Sequence, residues 1–309
     1  MWTAVVATCL AGLLPSVAGA APAIAGCPVF PASNPWNRPI DARPVDPRSA
    51  AIVAGQMRGA KLHLDLGSTE SEYGIPFTVV PRDQRLVPLS FGVGGEDYRD
   101  ESDRGPVPIP LNAPVEGAGE PGDRHVIVIQ RGICRLIELY HAVRSGNGWR
   151  ASAAARWSLR SNRLRPAGWT SADAAGLPIF PGLLRYEEAA SGRIEHALRF
   201  TLPEARYAYT TPARHCGPSG NTSPRLPVYG MRFRLKASFS ERPYHGPALA
   251  IVRAMKRYGL MFADQGSALY VTGVTDRRWA PVIDDFLADP VDGSQFEVVR
   301  PFGATTLCR

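Results

Sequence analysis

Short apolar runs bounded by Gly, Pro or Asp recur along this chain, whereas apolar residues keep a helical spacing over a long stretch only once. The short runs predict strands over residues 62–66, 75–81, 86–92, 149–159, 196–202, 206–211, 231–238, 260–263, 269–272 and 296–300. The helical run begins at Pro247. Ala248, Ile251, Val252, Met255 and Tyr258 recur on one face, Lys256 and Arg257 fill the last turn, and Gly259 closes it. Shorter helices are expected over 48–59, 184–191 and 281–287. Many short strands with one packed amphipathic helix and a few short helices predict a mainly β fold, an antiparallel β-sandwich or jelly roll.

The most informative run is DRHVIVIQRGICRLIELY, from Asp123 to Tyr140. It reads as two strands folded back at Arg131-Gly132, an X-Gly pair suited to a two-residue hairpin turn. That turn sets Asp123 opposite Tyr140, His125 opposite Glu138 and Ile129 opposite Cys134. Alternation then puts Asp123, His125, Glu138 and Tyr140 on one face, beyond Ile127, Ile129 and Leu136. Polar groups gathered on an apolar face are costly unless they serve each other or a ligand. Glu138 is the candidate acid or nucleophile, with a pKa raised by its apolar setting, and His125 its proton partner. The plainer alternative is a cross-strand His–Glu ion pair capped by Tyr140.

The first 20 residues resemble an export signal, an apolar run ending in Ala18-Gly19-Ala20. No later run is long enough to span a bilayer. The expectation is a secreted, extracellular domain over 21–309, with a Pro/Asn-rich arm over 27–48. Removing Cys9 with the signal leaves Cys27, Cys134, Cys216 and Cys308, an even number that suits disulfides and permits three pairings. The net charge of +7 comes almost wholly from Arg, since Lys61, Lys236 and Lys256 are the only lysines. With no recognition motif beside it, this charge reads as compositional bias and a solvated surface, and no nucleic-acid partner is expected.

Other residues extend the candidate site. Trp169 and Asp173 lie in an irregular Gly-flanked segment, where a Trp beside a carboxylate suits a sugar face, or simply the core. His196 and His215 bracket an expected hairpin of 196–202 with 206–211. Arg214-His215 suits carboxylate recognition, although lone histidines are commonly core residues. Asp264 follows a strand and either joins the site or opens a turn. Asp100, Glu101 and Asp103 occupy a long loop, 96–122, and form either oxygen ligands for a cation or a solvated acidic segment; EF-hand spacing is absent. No G-x-S-x-G elbow, H-E-x-x-H, Walker loop, dinucleotide fingerprint or paired-cysteine zinc spacing occurs, so neither metal nor cofactor is expected.

The phrases CPVFPASNPWN (from Cys27), GIPFTVV (Gly74), DESDRGPVPIP (Asp100), GDRHVIVI (Gly122), RSNRLRPAGWTSADAAGLPI (Arg160), RIEHALRF (Arg193) and KRYGLMFADQGS (Lys256) resemble a family of secreted proteins frequent in actinobacteria and related soil bacteria. The resemblance runs from Cys27 to about Val299 and implies one undivided exported domain. It carries no established activity and no catalytic residues.

The residues themselves point to an extracellular carbohydrate-active enzyme that cleaves glycosidic bonds in a cell-wall or environmental polysaccharide. Hydrolysis needs an acid and a second carboxylate, for which Glu138 and either Asp173 or Asp264 are the candidates. A lyase would use Tyr140 or His125 to take a proton beside a uronate, with Arg214 neutralising the carboxylate. From another class comes a non-catalytic carbohydrate- or envelope-binding protein, with Trp169, Arg214 and neighbouring polar groups such as Asp123, His196 and His215 as its binding face.

Overall fold

A computed structural model describes residues 21–67, 74–218 and 220–308. The expected export signal lies outside the described residues. The chain is mainly β, as its patterning predicts, and its sheets stack as a sandwich with helices on the outside.

The central sheet has four strands, ordered Ala153–Ser158, Arg135–Tyr140, Val126–Gln130 and Phe77–Val80. Both of its faces are covered. Ile127, Ile129 and Leu136 join the main core with Phe200 and Phe262. Val126, Val128, Ile137 and Leu139 pack on the other side with Val107, Ile109, Trp149 and Ala151. A strand buried on both faces has no polar side to show, hence the near-continuous apolar run VIVI. A three-stranded sheet, ordered Leu89–Phe91, Gly148–Ala151 and Val143–Ser145, supplies part of that second layer.

The larger sheet is ordered Phe296–Val299, Arg232–Leu235, Leu260–Gln265, Leu198–Leu202, Tyr270–Thr272 and His63–Asp65. The Gly246–Arg257 helix packs on Arg232–Leu235 and buries Ala248, Ile251, Val252 and Met255. Gly259, at φ +68°, ends it in the left-handed region that glycine tolerates.

The sheets are mixed rather than purely antiparallel. Phe77–Val80 runs parallel to Val126–Gln130, and Leu198–Leu202 parallel to Leu260–Gln265. Parallel neighbours require a long crossover, which the 81–125 and 203–259 segments provide. The expected hairpin of 196–202 with 206–211 does not form. Leu198–Leu202 already has neighbours on both edges, and Ala208–Thr210 pairs instead with a strand at Thr305–Leu307 that the patterning does not show.

The 123–140 hairpin forms, but its connection takes four residues, 131–134, rather than two. Gln130 therefore lies opposite Arg135, and Ile127 opposite Glu138. His125 does not face Glu138; the same register sets it across from Tyr140. A shift of two residues preserves which face each side chain occupies, so the expected grouping survives while the pairing does not. Cys134 leaves the ladder, at φ +53°, to bond Cys27. The second disulfide joins Cys216 to Cys308.

The 27–48 arm is ordered. Trp36 is buried, and the Asn37 amide donates to the carbonyls of Val29 at 2.9 Å and Pro31 at 3.1 Å. The buried Arg232 guanidinium donates to the carbonyls of Pro35 in the arm and Tyr258 at the helix end. Among the described residues no helix is long and apolar enough to cross a membrane.

Candidate functional site

Two adjacent strands of the large sheet build the site. Phe200 pairs with Phe262, but Thr201 pairs with Asp264, so Ala263 is an extra residue in its strand. Such a bulge re-aims the side chains after it. It brings Asp264 beside Arg199, whose Nη2 donates to Asp264 Oδ2 at 3.3 Å.

Arg199 also grips Asp173 with two parallel bonds, Nε to Oδ2 at 2.8 Å and Nη2 to Oδ1 at 2.9 Å, and its Nη1 donates to Thr272 Oγ1 at 2.9 Å. Asp173 arrives from the irregular 165–181 segment, where its amide donates to Ser171 Oγ at 2.9 Å and its carbonyl accepts from the same hydroxyl at 2.8 Å. One guanidinium thus bridges two carboxyl groups, and the forked Arg–carboxylate geometry fixes both. Asp173 is sealed, whereas the Asp264 side chain stays 25% exposed. Burial, then the neighbouring Asp173, push the Asp264 pKa up to about 8 against the pull of Arg199. Burial and the neighbouring Asp173 thus favour the protonated form of Asp264, whereas Arg199 and the Gln265 amide, 2.7 Å from Oδ1, favour the ionised one.

Asp264 borders two spaces that share part of their lining. One is a cleft of about 640 Å³ whose walls include Asp123, Tyr140, Asp173, His215 and Tyr229. The other is a chamber of about 190 Å³ lined in part by Glu116, His125, Arg199 and Tyr270. Asp123 and Asp264 line both. Asp123 is exposed, and no hydrogen bond to its carboxylate occurs among the described residues. The Cys216–Cys308 disulfide forms part of the cleft wall.

His125 has a carboxylate partner, but it is Glu116 from the long loop rather than Glu138. Its Nδ1 lies 2.6 Å from Glu116 Oε2 and its Nε2 lies 2.9 Å from the Ala172 carbonyl. Both neighbours are acceptors, so both ring nitrogens donate and the ring is cationic. Burial by itself would lower its pKa; the Glu116 carboxylate outweighs that and raises it to about 9.

Glu138 is wholly buried and lines neither space. Its carboxylate accepts from the amides of Ile179 at 3.0 Å and Phe180 at 2.8 Å, anchoring the turn at Phe180–Gly182. Burial raises its pKa to about 7 in spite of those bonds. The expected raised acid is real, but it faces backbone rather than a ligand.

The remaining candidates divide. Tyr140 is half-buried on the cleft wall, and burial, with Asp123 and Glu96 nearby, raises its pKa. His215 also lines the cleft, its Nδ1 2.9 Å from the Ala174 carbonyl. Trp169 lies outside that wall, beside the Arg165 guanidinium at 5.4 Å. Arg214 donates from Nε to the Arg165 carbonyl at 3.0 Å and is absent from the wall. His196 is buried elsewhere, between Glu188 at 3.0 Å and the Ala197 carbonyl at 2.8 Å.

The acidic loop is structural. Glu101 accepts from the Thr170 amide at 2.8 Å, Asp103 accepts from Arg165 at 2.7 Å, and Asp100 pairs with Arg104. These bonds pin the segment that carries Asp173. Among the described residues, no group of three or more His, Cys, Asp or Glu is placed to hold a metal ion.

Sequence reasoning missed Arg199 and Glu116. Arg199 had a local signal, a charge between Leu198 and Phe200 in an otherwise apolar strand. Glu116 had none, since it stands in a polar loop. Comparison of the chain with family models, curated proteins and solved structures finds no match.

Proposed function

We propose that the chain is an exported glycosidase, with Asp264 as the proton donor and Asp123 as the second carboxylate. The observation that carries it is a solvent-reachable Asp264, its pKa raised by burial and by Asp173, in a cleft that also presents the exposed Asp123. Glycosidic cleavage needs this division of labour, one carboxyl group held neutral and one ionised. Tyr140 and the exposed Tyr98 offer aromatic surface for the apolar faces of a sugar ring. Two disulfides fit an extracellular setting, and the apolar leader fits export.

The lyase version loses its parts. Both nitrogens of His125 are engaged, the phenol of Tyr140 is harder to ionise, and Arg214 points to a backbone carbonyl outside the cleft. One observation favours a second reading, a non-catalytic glycan-binding protein. Asp173 and Glu138 are both spent on holding the structure and Asp264 is bonded to Arg199, which among the described residues leaves Asp123 as the one cleft carboxylate without a hydrogen bond.

The test is release of reducing ends from a panel of wall and environmental polysaccharides, with Asp264→Asn as the control. The expected loss is roughly 10²-fold to 10⁴-fold in a protein that still folds. The wild-type rate should fall as pH rises through about 8, where Asp264 gives up its proton. Full activity in Asp264→Asn refutes the assignment, and binding without any release favours the second reading.

A further inference from the structure

The cleft has the wrong charge for the protein that contains it. The chain carries 35 Lys and Arg against 28 Asp and Glu, yet among the described residues no Lys or Arg lines the 640 Å³ cleft, whereas Asp123, Asp173 and Asp264 do. The guanidinium beside it, Arg199, belongs to the adjoining chamber and is already bound to Asp173, Asp264 and Thr272. Its charge is offset by Asp173. The His125 cation in the same chamber is matched by Glu116. Asp123 remains, a carboxylate facing solvent with no cation hydrogen-bonded to it among the described residues.

We propose that the cleft takes a glycan carrying unsubstituted amino groups, a polymer of 2-amino-2-deoxy sugars, and rejects polymers of uronic acids. The proposal rests on the glycosidase assignment only for the bond that is cut. A sugar carboxylate entering the cleft would meet Asp123 with no cation left to receive it, and desolvating it there is unfavourable. A sugar ammonium meets the opposite situation: Asp123 accepts its N–H groups while Tyr98 and Tyr140 cover the ring.

Binding and turnover are measured separately. Calorimetry at about pH 6 uses Asp264→Asn, which cannot donate a proton. The probes are a β-1,4-linked glucosamine hexamer, its N-acetylated form and a galacturonate hexamer. The amino oligomer is expected to bind about twofold to fivefold tighter than the acetylated one, as one exposed ion pair allows. The galacturonate oligomer should not bind. The preference should shrink in high salt and vanish when Asp123→Asn is added.

Equal binding of the amino and acetylated forms, tightest binding of the uronate, or no binding at all overturns the proposal. Product release by the wild-type protein on the same oligomers tests the other assignment. Tight binding of the amino oligomer without release leaves the ligand class standing and sinks the glycosidase.

Discussion

Replacing Glu116 by Gln isolates the buried ion pair behind the cleft. Glu116, Asp123, Arg199 and the Ala172 carbonyl surround the His125 ring; the two carboxylates and the carbonyl favour its proton, and burial and Arg199 oppose it. The outcome is a pKa of about 9 in place of the ordinary 6.5. At about 1.4 kcal/mol per unit, the protonated ring contributes about 3 kcal/mol to folding. A raised histidine pKa gives stability that is fully present below about pH 6.5 and lost as pH rises through about 9. Glu116, held below its ordinary value once His125 has offset burial, adds stability above that ordinary value that is lost on acidification. In Glu116→Gln the ring loses its counter-charge and becomes neutral. Urea unfolding, with both disulfides intact, should show the variant about 3 kcal/mol less stable at pH 6 and within about 1 kcal/mol of wild type at pH 9. Asp264 and Glu138 also make stability fall as pH rises in this window, but they are present in both proteins, and only the pull of the His125 charge on Glu138 is left in the difference. A deficit of the same size at both pH values would falsify the ionic pair.

Arg199→Met leaves Asp173 and Asp264 facing each other without their shared cation, and the cost should be roughly 3–5 kcal/mol in urea unfolding. A loss below about 1 kcal/mol would mean that the guanidinium does not bridge them. Glu138→Gln keeps the shape but weakens the bonds to Ile179 and Phe180, with an expected loss of about 1–3 kcal/mol. Because Glu138 has a raised pKa, its contribution is greatest below about pH 4.5 and declines as pH rises through about 7. The Gln variant should lose that slope, while oligosaccharide binding in the cleft, measured by calorimetry, stays at the wild-type level. Weakened binding at unchanged stability would place Glu138 in the site after all.

Much of the fold is legible because it rests on local spacing. The Gly246–Arg257 helix shows its buried stripe and its glycine stop in the sequence, and the central hairpin declares itself as an apolar run. Its register does not. That depends on Cys134 leaving the ladder to meet Cys27, a partner 107 residues away. The same division holds at the site. Asp123, Tyr140, Asp173, His215 and Asp264 stand out as polar residues near strand ends or in irregular segments, and the fold brings all five to one cleft. Glu138 stands out for the same reason and goes to the interior, since alternation gives the face of a residue but not what covers it. Glu116 and the bulge at Ala263 are set by contacts between distant segments, and no local pattern records them.

The covering of the central sheet on both sides has a consequence for how this chain can change over time. Where a sheet has one wet face, every second position is free to drift, and descendants retain only an alternating trace. Here Val126 to Gln130 and Leu136 to Leu139 are all buried, and only Arg135 and the connection at Arg131-Gly132 are open to solvent. Drift in this stretch is therefore blocked at consecutive positions. Descendants that have lost much of their likeness should still share these two unbroken words, which makes the hairpin one of the slow clocks in the molecule.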